Sequence, residues 1–340
     1  MRAPWVIVLA TCEGQRRGSV ERWLGVERPR QFCSVIGART MVQHALERAA
    51  SITDVERIVT VIGPGHRADL EQAVSPGSLG PVLEQPLDRG SSAAVYMALA
   101  HVLLADPHAV VLVLPATQFA SPENTFVHHL ADACALADRQ PGRVVLLGAI
   151  PRHPECELGW IIPAAGQEPW TANGNGQEAV PVARLSRTPP RKGSARRLRH
   201  GAMWNTQIFA ARGAALWNLG ERLTPGVMES FATVALAMKR GNNGRIPPET
   251  QEDLIRFAYS EMTSTDIGNA VLRRATAQAL VLRLEGVLWA DWSRPEWVME
   301  TLCRMDRIPD EVAAAARREL LPGSGLAARA PEGPVLTDSI

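Results

Sequence analysis

Arginines crowd the start of the chain, and the places where they fall suggest phosphate chemistry. Arg16 and Arg17 follow an apolar run, Trp5 to Ala10, across the short loop Thr11, Cys12, Glu13, Gly14 and Gln15. A second basic cluster comes soon after at Arg28, Pro29, Arg30, Gln31 and Phe32. The apolar run reads as a buried strand. A strand that ends in a loop carrying backbone N–H groups and guanidinium forks suits a nucleoside triphosphate, whose oxygens both kinds of donor neutralise. Cys12 lies in the same basic loop, where cations lower a thiol pKa. No histidine stands near it in sequence, so a packed thiol is the plainer reading.

A rim of phosphate-binding groups needs a sheet to present it. Short apolar runs at Trp5 to Ala10, Ile58 to Ile62, Ala109 to Leu114 and Val144 to Ile150 alternate with amphipathic stretches at Thr40 to Ser51, His66 to Val74, Ser91 to Leu104 and Asn124 to Ala137. That alternation predicts an α/β fold of Rossmann-like, doubly wound type, with a mostly parallel sheet covered by helices and the ligand at the carboxyl ends of the strands. From about residue 151 the pattern shifts to shorter extended pieces, Trp160 to Pro163, Val182 to Leu185 and Met203 to Phe209, separated by Pro, Gly and Asn. These read as an additional sheet layer and lid for a second substrate. Helices follow near Ala214 to Leu219, Met228 to Lys239 and Glu249 to Tyr259, then a strand pair, Ala279 to Leu284 with Val287 to Trp289, and a helix from Pro295.

The chain has 340 residues, 46% hydrophobic and 21% charged, which is ordinary for a globular protein with a large core. Its formal net charge of +1 excludes whole-molecule attraction to nucleic acid or to an anionic membrane. Phosphate recognition must then come from local clusters, and neither nucleic acid nor membrane is expected as a partner. Seven basic residues and no acidic one fall between Arg184 and Arg199. No aromatic interleaves them, so a solvated loop is expected there. The five cysteines are odd in number and widely spaced, as in a cytoplasmic protein with reduced thiols.

The motifs, taken in order from about residue 4 to about residue 302, resemble those of the mannose-1-phosphate guanylyltransferases, sugar nucleotidyltransferases that make GDP-mannose from GTP and mannose 1-phosphate. Leu9 to Arg16 stand where the family has L-A-G-G-x-G-x-R, and Pro29 to Phe32 where it has P-K-Q-F. Gln85, Pro86, Arg89, Gly90 and Ser91 resemble its Q-P-x-x-R-G-T segment near the guanine base. Gly148 to Gly159 resembles the strand and loop that present a backbone amide to the sugar, and Gly201 to Phe209 the block whose asparagine, here Asn205, contacts sugar hydroxyls. Val287 to Glu296 resembles the closing W-x-D-x-G-x-P motif, whose aspartate, here Asp291, helps hold the metal.

The resemblance therefore implies catalytic roles for Arg16, Arg30 and Asp291, nucleotide binding by Leu9, Ala10, Gly14, Gln85, Arg89 and Gly90, and sugar binding by Gly159 and Asn205. It implies Mg2+ as cofactor, with Asp291 as ligand, and GTP or another nucleotide and a sugar 1-phosphate as partners. The pattern also breaks in places. The family's paired glycines are Thr11 and Cys12 here, its L-P-S-D-H is Leu114 to Gln118 with Thr117 for the aspartate, and its E-K-P is Arg187, Thr188 and Pro189. Loss of a metal carboxylate and of two groups near the sugar phosphate points to weak turnover, or to a catalytically silent homologue that binds nucleotide, sugar phosphate or a partner subunit. The expected organisation is a nucleotidyltransferase domain over 1–305, with a nucleotide half to about 150 and a sugar half from about 151, then a C-terminal helix and loose tail over 306–340. Homo-oligomerisation is left open.

Overall fold

The computed structural model describes residues 2–11, 20–164, 170–171, 178–187 and 191–319. In chain order the elements are β1 (Trp5–Ala10), α1 (Val20–Leu24), α2 (Met41–Ala50), β2 (Ile58–Ile62), α3 (Arg67–Ala73), β3 (Val82–Glu84), α4 (Gly90–Ala105), β4 (Val110–Pro115), β5 (Gln118–Ser121), α5 (Glu123–Arg139) and β6 (Val144–Ala149). There follow β7 (Trp160–Pro163), β8 (Trp170–Thr171), β9 (Glu178–Ser186), α6 (Arg191–Arg199), β10 (Met203–Arg212), α7 (Gly213–Leu223), α8 (Pro225–Asn242), α9 (Pro248–Glu261), β11 (Ala279–Leu284), β12 (Leu288–Asp291), α10 (Pro295–Arg304) and α11 (Asp310–Glu319).

Strands β1, β2, β4 and β6 are apolar and almost wholly buried, because helices cover both faces of the sheet. One face carries α4, α7, α8 and α9, with Tyr96, Phe231 and Tyr259 at its centre. The other carries α2 and α5, with Phe32, Phe126 and Trp160. Helix α4 is apolar nearly all round and accordingly sits inside. Helix α2 starts with a capping box in which the Thr40 hydroxyl accepts from the Gln43 N–H and the Gln43 side chain accepts from the Thr40 N–H.

The strand order is β3-β2-β1-β4-β10-β6-β11-β9-β7. The first four run parallel, and β11 runs parallel to β6. Strand β10 lies antiparallel between β4 and β6, which joins the two halves of the sequence in one sheet. The start of β10 also pairs with β7. Strands β10, β6, β11, β9 and β7 thus form a ring of hydrogen-bonded neighbours, so the strands of the second half extend the central sheet instead of stacking on it. The separate layer is the two-stranded sheet of β5 and β12.

Two expectations need correction. Ala279 to Leu284 and Val287 to Trp289 do not pair with each other: both edges of β11 are taken by β6 and β9, and Gly286, at φ +69°, turns the chain away so that β12 meets β5. The basic stretch up to Arg199 is not simply a solvated loop, since its second half is helix α6, whose Ser194 is fully buried. The residues after 319 lie outside the described part, as do Cys12, Gly14, Arg16, Thr188 and Pro189.

Candidate functional site

The carboxyl end of β1 is fixed by neighbours on both sides. The Leu9 carbonyl accepts from the Ala116 N–H at 2.9 Å, and the Ala10 carbonyl accepts from Gln31 Nε2 at 2.9 Å. Gln31 is fully buried, at 0% exposure, and its Nε2 also lies 3.3 Å from His66 Nδ1. The Pro29–Phe32 segment therefore acts as a brace under the rim, with Arg30 at its head. Its position is set by Glu21, whose carboxylate accepts from the Arg30 N–H at 2.9 Å. Behind Arg30, burial and the Glu21 carboxylate push the Cys33 thiol up to about 12, so it stays protonated.

Gln85, just past β3, is 1% exposed and faces inward, with its Oε1 3.5 Å from the Tyr259 hydroxyl. Arg89 reaches the end of α9, donating from Nε to the Tyr259 carbonyl at 2.8 Å and from Nη2 to the Ser260 carbonyl at 3.2 Å. Carbonyls of a last helical turn lack the usual donor four residues on, and a cation suits that end of the helix dipole. Gly90 has φ +79°, and a Cβ there would stand 2.4 Å from the Thr265 carbonyl oxygen, so only glycine fits. Arg89 and Gly90 thereby dock the start of α4 onto the 264–267 segment.

Past β4 the chain turns through Thr117 into β5. Asp291 and Gln118 are register partners between β12 and β5, and the Trp292 N–H donates to the Thr117 carbonyl at 3.0 Å. Thr117 and Asp291 are thus neighbours, which is where a pair of metal-binding carboxylates would have to stand. One Asp291 oxygen accepts from the Ser293 N–H at 2.9 Å. Gln118 ties the layers together, donating to the Thr206 carbonyl and accepting from Trp289 Nε1 at 3.1 Å. Buried Arg48, 3% exposed, forms a bidentate pair with Glu123 at 2.7 and 2.8 Å and donates to the Gln118 carbonyl at 2.7 Å.

Gly159 and Asn205 come together: the Asn205 N–H donates to the Gly159 carbonyl at 2.8 Å. Asn205 sits at a bulge in β10 where Gln207 adopts φ +62°, and its Oδ1 accepts from the Gln207 N–H at 3.0 Å. Both line a cleft of about 310 Å3 with Ser186, Arg187, Asp266, Asn269 and Arg273. Because Trp204 pairs with Ala149 at the end of β6, this cleft opens at the rim where β1 and β4 end. Asp291 does not line it; with Arg152, Trp204, Trp289 and Glu300 it lines a smaller cavity. Sequence reasoning missed Asp266, Asn269 and Arg273. They lie around a π-helical turn, Gly268–Leu272, a distortion that recurs at functional sites but has no simple sequence period.

Among the described residues no group of three or more His, Cys, Asp or Glu side chains could hold a metal. With Thr117 beside Asp291, the described residues do not fit a two-carboxylate Mg2+ site.

No protein-family profile matches the chain. A mannose-1-phosphate guanylyltransferase of Salmonella montevideo is 29% identical over 210 residues, covering 61% of this chain and 42% of the relative. One of Salmonella typhimurium strain LT2 is 26% identical over 280 residues, covering 78% of this chain and 53% of the relative. The chain spans about half the length of the curated relatives it matches. The crystal structure of mannose-1-phosphate geranyltransferase from Thermus thermophilus superposes with a TM-score of 0.64 at 22% identity, over 85% of this chain and 76% of that one. The mixed sheet is thus a Rossmann-like fold, shared with that structure. In sequence the chain is similar to mannose-1-phosphate guanylyltransferases at 26–29% identity.

Proposed function

We propose that the chain is a sugar-1-phosphate nucleotidyltransferase, most like a mannose-1-phosphate guanylyltransferase, with slow turnover. The reading is carried by one observation: the cleft of Gly159 and Asn205 opens at the same rim as the carboxyl ends of β1 and β4. The nucleotide takes the rim at Leu9 and Ala10, with Gly14 and Arg16 from the following loop and with Gln85, Arg89 and Gly90 shaping its far wall. The sugar takes Gly159 and Asn205. An oxygen of the sugar phosphate attacks the α-phosphorus of GTP, and the bond to pyrophosphate breaks. Two polyanions must meet for this, so the work falls on positioning and on cations such as Arg16 and Arg30.

Asp291 has lost its carboxylate neighbour to Thr117, and no step is assigned to a metal. Loss of one preorganised electrostatic group costs about 3 kcal/mol, roughly a hundredfold or more in rate. The same observation favours a second reading, a catalytically silent homologue that retains nucleotide and sugar phosphate. Pyrophosphate release from GTP and mannose 1-phosphate with Mg2+ separates the two. The transferase reading expects slow release that vanishes in Asp291→Ala and rises about tenfold or more in Thr117→Asp. No release, with GTP binding seen by calorimetry, supports the silent homologue. Neither release nor binding overturns both.

A further inference from the structure

Arg184, Arg196 and Arg197 meet in a second cleft, of about 480 Å3, that shares no lining residue with the cleft of Gly159 and Asn205. Local structure brings them together. Arg184 stands on β9 in register with Ile162 of β7, while Arg196 and Arg197 fall in the last turn of α6. That helix is seated by Ser194, fully buried, and by Leu198, which packs on the core under the sheet. Gly201, at φ +69°, then turns the chain so that the Ala202 N–H donates back to the Arg197 carbonyl at 3.2 Å. Ile162, Ala183 and Ala202 add an apolar part to the lining.

Three guanidinium groups held in one cleft repel one another, and among the described residues no carboxylate stands within ion-pair distance of any of them. Burial first, and then the charges of Arg184 and Arg196, pull the Arg197 pKa below the ordinary arginine value. Arg197 is also incompletely satisfied. Its Nη2 donates to the Ser186 hydroxyl at 2.8 Å, but its Nη1 is buried with no hydrogen-bond partner among the described residues. Leaving a buried donor of a cation unmade is costly, and a bound anion would remove both that cost and the repulsion.

We propose that this cleft is a second anion site, for a small ligand bearing a phosphate or diphosphate group held by Arg184, Arg196 and Arg197. A phosphate accepts through several oxygens at once and matches the planar guanidinium fork. The volume and the apolar part of the lining suit a group that is carried on a small organic molecule. A nucleic-acid strand is disfavoured, because no aromatic side chain lines the cleft for a base to stack on. Ser186, the acceptor of Arg197, lines the cleft of Gly159 and Asn205, so the two clefts adjoin at that hydrogen bond. The second site stands apart from the transferase reading, which gives none of these arginines a task.

The experiment is calorimetric titration of the full chain with inorganic pyrophosphate, repeated with Arg184→Gln and Arg196→Gln. Arg199→Gln removes the same charge from an exposed position outside the cleft, and Arg16→Ala disturbs the nucleotide rim. One pyrophosphate site is expected that weakens about tenfold or more in each cleft variant and stays within about twofold of native in Arg199→Gln and Arg16→Ala. Adenosine diphosphate in place of pyrophosphate tells a carried diphosphate from a free one: tighter binding shows that the apolar lining contributes, equal binding that the anion suffices, and both support the site. Several results would overturn it. They are no pyrophosphate binding, an equal loss in Arg199→Gln, and a loss confined to Arg16→Ala, which would place the anion at the rim alone. Weaker binding of mannose 1-phosphate in the cleft variants would mean that the arginines serve the substrate instead, and a single-stranded DNA oligomer held more tightly than pyrophosphate through them would mean a nucleic-acid surface. Circular dichroism melting of each variant reports folding, and Arg184 and Arg196 are both exposed, so their loss leaves the core intact.

Discussion

Glu300 shows how a single side chain on this scaffold is tuned by what surrounds it. His153 Nε2 lies 3.1 Å from one of its oxygens, while Arg152 and Arg304 approach the other at 3.6 and 3.2 Å. The hydrogen bond from His153 comes first, and the charges of His153, Arg152 and Arg304 add to it; together they outweigh burial and hold the carboxyl at about 2, against 4.5 ordinarily. A carboxyl depressed in the folded state stabilises fully above its unfolded pKa, and that contribution fades as pH falls from about 4.5 to about 2. Glu300 is half-buried, so solvent screens the interaction and its worth is modest. Glu300→Gln should therefore be less stable than the native chain at pH 6, with the gap in urea midpoint closing as the pH approaches 2. A gap that stays constant across that range would show that the charge has no part in it. The residue matters beyond itself because it ties α10 to the loop after β6, in the wall of the cavity that Asp291 lines.

At the scale of elements, the clasp between α4 and the 264–267 segment joins the two halves of the chain. Thr265 N–H donates to the Arg89 carbonyl and Ser92 N–H to the Thr265 carbonyl, each at 3.1 Å, while Ser91 Oγ holds Asp266 and accepts from the Ile267 N–H at 3.0 Å. Gly90→Ala introduces a left-handed strain of about 1–2 kcal/mol and forces apart a contact of 2.4 Å. A loss of about 2–3 kcal/mol by urea unfolding is expected, together with weaker binding of sugar phosphate, since Asp266 and Asn269 move with the clasp. Stability within about 0.5 kcal/mol of native would mean that the helix start yields without cost. This clasp also marks the limit of what could be read in advance. Runs buried on both faces, such as Trp5–Ala10 and Ile58–Ile62, show their bounds in sequence because burial demands unbroken apolar residues. The place of Leu288–Asp291 does not, because two apolar runs joined at Gly286 look like a hairpin while the true partner lies at Gln118–Ser121. Helix α6 hides behind its charges, and Arg273 lies far along the chain from Arg187, with only the fold to bring them into one cleft. Gly159 and Asn205, which motif resemblance singles out separately, are neighbours in the fold because β7 pairs with the start of β10.

For the molecule as a whole, the question is whether the two sequence halves are two folding units. Among the described residues strand β10, from the second half, is the only bridge in the sheet between β4 and β6, both from the first. Without the second half β4 loses a neighbour and β6 loses both, since its pairs are β10 and β11. The core on one face is also shared: Tyr96 of α4 packs on Trp217 and Phe231, at ring-centroid distances of 6.2 and 5.9 Å, and Phe231 packs on Tyr259. A fragment of residues 1–150 would expose that face and leave strand edges unpaired, a combination that favours aggregation over folding. The division near residue 150 is thus not a division between separate sheets or cores. The prediction is one cooperative urea transition for the chain, with far-UV circular dichroism and tryptophan fluorescence coinciding, although seven of the nine tryptophans lie in the second half. Two separated transitions, or a soluble 1–150 fragment with its own cooperative unfolding, would show instead that the nucleotide half folds alone and that β10 docks onto it afterwards.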